Sequence, residues 1–192
     1  MYCLNVLFAS QLNHKSILKL IRCCLETQIP ILVFESIEYE TLADRNHRPS
    51  HPCFKPLLFT NRLKIAVEIA NAIAYLHFRF AKPILFRIIK PWNILIDKQN
   101  IVKLFDFSLS VSIPKGETHI KDVGRGTMGF VAPEYVTTRG CFNEKCDVFC
   151  FDVLLFVLLT GQEITDYLRC EKGNKFYLVY DVKKYFVNNR VK

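Results

Sequence analysis

The stretch that decides the fold is FRIIKPWNILIDKQNIVKLFDFSLS, residues 86–110. Within it, Ile94–Ile96 and Val102–Leu104 are short, mostly apolar runs, and the sequence DKQN between them is typical of a tight turn. The pattern therefore predicts a β-hairpin. Asn93 stands directly before the first strand and Asp106 follows the second, so an amide and a carboxylate flank the predicted hairpin.

Two segments on either side of this hairpin have helical patterns. Residues 62–78 are predicted to form an amphipathic helix, because aliphatic side chains and one histidine recur at three- and four-residue spacing: Leu63, Ala66, Val67, Ala70, Ile73, Ala74 and His77. Residues 147–160 are apolar nearly all round, which is typical of a helix buried at the centre of a domain, and Gly161 is placed to end it. Asp147 is a charged residue at the head of that helix.

The remaining segments complete an α+β pattern whose larger part is helical. Residues 2–12 are predicted to form a helix, and residues 17–25 and 30–34 to form two strands separated by a turn. Residues 40–61 are rich in Pro, Asn and His and are predicted to be a connector. Residues 108–130 mix Ser, Gly, Thr and charge, which predicts a long loop.

The composition describes a folded chain with a basic surface. Of the 192 residues, 51% are hydrophobic and 13% aromatic, which excludes a disordered protein. Lys and Arg number 26 against 18 Asp and Glu, which gives a formal charge of +8. The basic residues are spread along the chain without an aromatic-interleaved basic motif, so we expect no nucleic-acid partner.

Neither a membrane span nor a targeting signal is indicated. The longest apolar stretch, residues 148–159, is interrupted by Asp152 and is shorter than the roughly 20 residues that cross a bilayer. The N-terminal residues lack the pattern of a secretory signal and have no Gly at position 2 for a myristoyl group. We expect a cytoplasmic protein, with the inner face of the plasma membrane as an alternative location.

The eight cysteines do not form a disulfide or zinc pattern, because no C-x-x-C pair occurs. Four of them lie in apolar runs, where free thiols behave as small hydrophobic groups: Cys23, Cys24, Cys146 and Cys150. His47, His51 and Cys53 lie close together and could hold a metal ion. Without a second ligand cluster at zinc-like spacing, a solvated loop is the preferred interpretation.

Four segments, read in order, resemble the protein-kinase signature set. They are FRIIKPWNILID, LFDFSLS, GTMGFVAPEY and NEKCDVFCFDVLLFVLLTG, at residues 86–97, 104–110, 126–135 and 143–161. They match the catalytic loop, the D-F-G segment, the A-P-E segment and the central helix that follows. The upstream LNHKSILKLIRCCLETQIPILVFES closely resembles plant receptor-like kinases of the wall-associated type. At the positions where it departs from the signature of active kinases, the chain resembles the ZRK family. These are plant receptor-like pseudokinases that act as adaptors for an immune receptor.

This resemblance implies a protein-kinase-like α+β fold that is truncated at both ends. Residues 1–37 would be an incomplete N-lobe and hinge, and residues 38–192 a mostly helical, C-terminally truncated C-lobe. No Gly-rich phosphate loop and no V-A-I-K strand is present, and Asn5 aligns with the Glu that normally pairs with the strand Lys.

Three departures concern the chemistry. Ile88 stands where the catalytic Asp of H-R-D is expected, and its side chain has no lone pair to accept a proton. Phe86 stands where His is expected, and Ser108 replaces the Gly of D-F-G. No residue is therefore assigned a catalytic role.

Three polar positions are retained. By resemblance, Lys90 contacts phosphate, while Asn93 and Asp106 are ligands of Mg²⁺, so these three form a vestigial nucleotide site. Asn93 and Asp106 also suit a turn, where both residue types satisfy backbone groups, and that purely structural role is the open alternative.

The resemblance assigns structural roles to five other residues: Phe86, Arg87, Phe107, Glu134 and Asp147. Asp147 is expected to accept hydrogen bonds from the backbone of the catalytic loop. Arg87 is expected to pair with a phosphorylated residue such as Thr118, or with loop carbonyls, and Glu134 has no assigned partner.

These features predict a catalytically inactive, non-enzymatic scaffold or adaptor in plant immune and receptor-like kinase signalling. Its implied partners are an immune receptor and receptor-like cytoplasmic kinases, and it requires no cofactor beyond a vestigial Mg-ATP site. The alternatives are a serine/threonine kinase of very low activity that uses the three retained residues, and a truncated gene product without a function.

Overall fold

A computed structural model describes residues 9–36, 38–47, 57–127, 129–132, 135 and 140–161. The strands in this part of the chain are β1 Leu20–Cys24, β2 Ile31–Phe34, β3 Glu40–Thr41, β4 Ile84–Leu85, β5 Ile94–Ile96, β6 Val102–Leu104, β7 Val111–Ser112, β8 Ile120–Lys121 and β9 Cys141–Phe142. The helices are α1 Leu42–His47, α2 Phe59–Phe78 and α3 Lys145–Thr160. The prediction of an α+β fold with the larger part helical is confirmed.

The β5–β6 hairpin forms as the sequence predicts. Its strands pair antiparallel, with Ile94 opposite Leu104 and Ile96 opposite Val102, and β3 adds a third strand beside β5. The Asp97 carboxylate closes the turn, since Oδ1 accepts the backbone N–H groups of residues 99 and 101, each at 2.8 Å. This local satisfaction of backbone donors explains why a short polar sequence fixes the turn.

Helix α2 begins at Phe59, three residues before its predicted start, and ends at Phe78 as predicted. Its buried face contains Ile65, Ile69, Ala72, Ile73 and Leu76. The predicted face is only partly right, because Ala66, Ile73 and His77 are buried whereas Leu63, Val67 and Ala74 are exposed. This face packs into the main hydrophobic core together with β5, β6 and α3.

Helix α3 is buried on several sides, in agreement with its apolar sequence. Cys150, Leu154 and Leu158 join the main core, and Val153 and Val157 pack with Phe130 on another side. Gly161 follows the helix with φ +71°, a left-handed conformation that glycine adopts without strain, and its N–H bonds to Val157 O. The Arg62 guanidinium of α2 donates to Leu158 O at the same end.

The predicted connector over residues 40–61 is wrong for its first part. Thr41 caps helix α1, because its Oγ1 accepts the Asp44 backbone N–H at 3.1 Å. Leu42 and Ala43 are buried directly after this cap. A two-residue strand and a short helix therefore form in a polar sequence whose composition favours a loop.

The predicted long loop over residues 108–130 also contains regular structure. Strand β7 pairs with β4, and β8 pairs with β9. These two-residue ladders join segments far apart in sequence, so local periodicity does not predict them. The prediction for residues 17–25 and 30–34 is confirmed by β1 and β2, which pair antiparallel.

Several other predictions concern residues only partly described. Most of the predicted helix over residues 2–12 lies outside the described residues, as do His51 and Cys53. Within the described ranges, no group of three or more potential ligands is placed to hold a metal ion. In the same ranges, no helix is both long and apolar enough to cross a membrane.

The four cysteines that the sequence places in apolar runs divide into two groups. Cys146 and Cys150 are buried free thiols, and burial, followed by the nearby Asp147 charge, raises the pKa of both. They therefore behave as small hydrophobic groups, as expected. Cys23 and Cys24 are exposed on β1, so the expectation that they pack in an apolar run is wrong.

Candidate functional site

The open end of the β5–β6 hairpin brings Asn93 and Asp106 close together. A 3₁₀ turn, Pro91–Asn93, leads into β5, and Pro91 at its first position fits the fixed φ of proline. The backbone N–H of Phe105 donates to Asn93 O at 3.2 Å, which fixes the chain directly before Asp106. The buried Asn93 side chain donates from Nδ2 to Ile88 O at 3.1 Å. The amide oxygen of the same side chain is a hydrogen-bond acceptor and a ligand type for hard cations.

Asp106 adopts a left-handed backbone conformation, with φ +66° and ψ +70°. This conformation is uncommon for residues other than glycine and occurs preferentially at functional sites and turns. Its carboxylate accepts the Ser108 N–H at 3.2 Å and is exposed. Ser108 itself lies in the 3₁₀ turn Phe107–Leu109 and is not among the residues with positive φ, so this position does not require glycine here.

Lys90, the third retained polar residue, belongs to the catalytic loop, which we define as residues 86–93. Its Nζ donates to Thr127 Oγ1 at 3.0 Å. The backbone O of Lys90 accepts the Asn93 N–H at 2.9 Å, so one turn of chain carries both side chains. The backbone contacts therefore place Lys90 one turn before Asn93, and Asn93 beside the chain that leads to Asp106, while the Lys90 side chain lies against Thr127.

Ile88 is buried in the main core and presents an aliphatic side chain at the position of the expected proton acceptor. Phe86 is fully buried and its ring meets Phe107 edge to face, with 5.0 Å between centroids. Both replacements fit the core, because each fills its place with carbon atoms that pack against apolar neighbours.

Asp147 ties the catalytic loop to helix α3. It is fully buried, and its Oδ2 accepts the Phe86 N–H at 2.8 Å while Oδ1 accepts the Arg87 N–H at 2.6 Å. The geometry agrees with the role expected of Asp147. Sequence reasoning missed the third partner, His77 of α2, whose Nε2 lies 2.8 Å from Oδ2. The signal was a polar residue on the buried face of an amphipathic helix.

Arg87 finds a partner other than Thr118. Its guanidinium pairs with the Asp122 carboxylate at 2.5 Å and donates to Val123 O at 3.0 Å. Thr118 is exposed and its hydroxyl lies 3.2 Å from the neighbouring His119 ring. The alternative expectation of a loop carbonyl is confirmed by Val123, and the carboxylate of Asp122 was missed. Glu134 and Asn5 lie outside the described residues.

The electrostatics of Asp122 reflect this pairing. Burial alone would raise the pKa of its carboxyl, but hydrogen bonds from Arg87 and the Val123 N–H, with the charges of Arg87 and Arg125, lower the pKa overall. Asp122 is therefore ionised at neutral pH. The carboxylate supplies a fixed negative charge beside the catalytic loop.

The oxygen donors at the hairpin end suit a hard divalent cation. An exposed carboxylate on Asp106 and an amide oxygen on Asn93 are the ligand types that Mg²⁺ prefers, and Mg²⁺ commonly uses few protein ligands. The nearby Lys90 ammonium suits a phosphate. The residues present therefore fit a magnesium nucleotide.

Taken together, a catalytic-loop turn, a left-handed Asp after a hairpin and a carboxylate-anchored apolar helix define a protein-kinase-like C-lobe. Residues 5–183 match the family model described as protein kinase domain, so the chain belongs to the protein kinase domain family. The predicted kinase-like fold is confirmed.

Relatives among known proteins place the chain with plant receptor-like kinases. Wall-associated receptor kinase 2 of Arabidopsis thaliana is 38% identical over 190 residues, which cover 92% of this chain and 26% of the relative. Wall-associated receptor kinase 4 of the same plant is 44% identical over 159 residues, covering 83% of this chain and 21% of the relative. The chain thus spans about a quarter of the length of these relatives.

These comparisons contradict one prediction. The chain was expected to be a non-enzyme because Ile88 replaces the catalytic Asp and the sequence shows no Gly-rich loop and no strand Lys, whereas its relatives are named as receptor kinases. Replacement of one group removes one contribution to a rate and leaves the other groups in place. Among the groups that remain, Asn93 and Asp106 flank the β5–β6 hairpin, and Lys90 lies one turn before Asn93.

Proposed function

We propose that this chain is a receptor-type protein kinase domain that transfers phosphate from a magnesium nucleotide to a protein hydroxyl at a low rate. The observation that carries the proposal is that Asn93 and Asp106 lie at one end of the β5–β6 hairpin, with Lys90 one turn before Asn93. The names of the relatives support the reaction class.

The three side chains would bind different parts of the magnesium nucleotide. Lys90 attracts a phosphate oxygen as a point charge, and the Thr127 hydroxyl steadies its ammonium at 3.0 Å. Asn93 and Asp106 would hold Mg²⁺ through oxygen atoms, and that ion supplies neutralisation of phosphate charge when bound. The Asn93–Ile88 hydrogen bond keeps the amide oriented without any ligand.

Ile88 sets the expected rate. In phosphoryl transfer the bond from the substrate oxygen to phosphorus forms as the bond to the nucleoside diphosphate breaks. Most catalysis comes from positioning and charge stabilisation. The hydroxyl proton must pass to solvent or to the transferred phosphate, since Ile88 cannot accept it. A missing general base costs about 10²–10⁴-fold in rate, which leaves a slow reaction rather than none.

The finer assignment, to an adaptor of the ZRK type in plant immune signalling, is also part of the proposal. Its partners would be an immune receptor and receptor-like cytoplasmic kinases, met in the cytoplasm or at the inner face of the plasma membrane. The resemblance supports it, together with a core that is held by Asp147 and the Phe86–Phe107 pair, independently of the transferred phosphate.

A labelled-phosphate transfer assay with Mg·ATP and a generic protein substrate tests the reaction. We expect slow incorporation that is lost in Asp106→Asn and retained in Asp152→Asn, a matched change on the exposed side of α3. Incorporation at background level in the parent, or equal incorporation in both variants, contradicts the proposed activity.

Binding to a purified receptor-like cytoplasmic kinase tests the adaptor role. Lys90→Ala should bind as the parent does, because the lysine faces the proposed nucleotide. Absence of binding by the folded parent contradicts this part of the proposal.

A further inference from the structure

The catalytic loop carries a buried cation, Arg87, near its start. The Arg87 side chain is only 2% exposed, and its guanidinium stacks 4.0 Å from the centroid of the Phe142 ring. A buried charge is costly unless it is paired and hydrogen-bonded. The position of Arg87 is fixed from the other side as well, because its own N–H is bonded to Asp147.

Asp122 supplies the anion. Its Oδ2 lies 2.5 Å from Nη1 of Arg87, and in the part of the chain that the structure describes it is the carboxylate paired with Arg87. Val123 O accepts from the other terminal nitrogen at 3.0 Å. Two adjacent residues of one segment therefore pair with both terminal nitrogens of the guanidinium, while its buried Nε has no partner among the described residues.

The segment that carries Asp122 also contacts the chain around strand β9. Strand β8 pairs with β9, with Ile120 opposite Phe142, and the Asp122 N–H donates to Gly140 O at 2.9 Å. Asp122 also accepts the Val123 N–H at 2.7 Å. The carboxylate is thus presented to Arg87 by a backbone that is itself held in place.

The segment continues from this anchor to the proposed phosphate site. Thr127 follows Asp122 by five residues and receives the hydrogen bond from Lys90. The two contacts with the catalytic loop, at Arg87 and at Lys90, therefore bracket residues 122–127.

We propose that Asp122 is a positioning residue that acts through Arg87 to hold residues 120–127 against the catalytic loop. The carboxylate carries its charge permanently at neutral pH, so this arrangement needs no covalent modification of the segment. The effect of this anchoring on the Lys90–Thr127 contact at the proposed phosphate site rests on the proposed phosphotransfer function. The anchoring itself does not.

Amide hydrogen exchange on the full chain tests the anchoring. Asp122→Asn keeps the shape and removes the charge, Asp122→Glu keeps the charge, and Lys121→Gln is a control at the exposed neighbour. We expect exchange over residues 118–127 to accelerate about tenfold or more in Asp122→Asn, with α2 unaffected. Asp122→Glu should return it toward the parent rate, and Lys121→Gln should not change it.

Three outcomes decide the proposal. Parent-like exchange in Asp122→Asn shows that the charge does not hold the segment and overturns the inference. Equal loss of protection throughout the chain in the Asn and Glu variants overturns it too, because the retained charge then brings no rescue. Charge-dependent exchange in a chain without phosphotransfer supports the anchor while the proposed function fails.

Discussion

The carboxylate of Asp147 accepts a hydrogen bond from the backbone N–H of Phe86 at 2.8 Å, across 61 residues of sequence. The same fully buried carboxylate serves Arg87 N–H and lies within hydrogen-bond distance of His77. One side chain therefore fixes three elements of the site relative to one another. If this carboxylate is removed, no solvent is present to accept the hydrogen bonds that its partners lose.

Asp147→Ala is expected to destabilise the protein strongly. Each buried donor left without a partner costs about 1–3 kcal/mol, and at least two backbone donors lose their acceptor. We expect Tm to fall by about 5–10 °C, measured by differential scanning calorimetry. Asp152→Ala, at an exposed position of the same helix, is the control and should change Tm little. A variant at position 147 as stable as the parent contradicts this account.

The buried pair of Phe86 and Phe107 should contribute through packing. Phe86→Ala removes a fully buried ring and its edge-to-face contact, which costs about 3–5 kcal/mol in typical cores. Phe59→Ala deletes the same side chain where it is 61% exposed and should cost far less. Urea unfolding of both variants measures the difference. Equal losses would show that burial does not set the cost here.

The parts of the fold that were predicted correctly are those with local causes. The β5–β6 hairpin follows from two aliphatic runs and a turn that Asp97 closes, all within eleven residues, 94–104. Helices α2 and α3 follow from their own periodicity and from Gly161. In each case the decisive contacts lie within the segment that shows the pattern.

The parts that were missed depend on distant contacts. His77 meets Asp147 across 70 residues, and Arg87 meets Asp122 across 35. Several candidate partners for Arg87 existed in the loop, and only the β8–β9 ladder selects Asp122. Helix α1 was missed because its burial, and not its polar composition, decides its structure.

The Arg87–Asp122 ion pair should make stability depend on pH in acid. The pKa of Asp122 is lower in the folded state than its ordinary value of 3.8. The pair therefore contributes stability that is fully present above that ordinary value and is lost as pH falls through the lowered one. Urea unfolding from about pH 7 to about pH 3 should show the parent and Asp122→Asn converging at the acid end. A constant difference over this range contradicts the ionic contribution.

Substitutions at Lys90 and Asn93 should reduce nucleotide binding while changing the stability of the protein little. Lys90→Ala removes a half-buried ammonium bonded to one hydroxyl and should leave Tm nearly unchanged. Asn93→Ala leaves Ile88 O without its donor and should cost about 1 kcal/mol. Both variants should lose stabilisation by Mg·ATP in a thermal-shift titration. Retained nucleotide stabilisation in both would contradict the assignment of these residues to the phosphate site.

Gly140 offers the sharpest test of the attachment of Asp122. At this position φ is +72°, and an added Cβ would lie 1.6 Å from the backbone O of Asp122. Gly140→Ala must therefore push β8 away from β9 as well as strain its own backbone. We expect a lower Tm and faster exchange over residues 120–123.

Gly116→Ala provides a matched control, since Gly116 has φ +87° but open space around the added atom. It carries the same kind of backbone strain without the clash, so the excess effect at Gly140 measures the contact with Asp122. Equal effects of the two substitutions would show that strain alone is responsible and that the close approach of the two strands does not hold the segment.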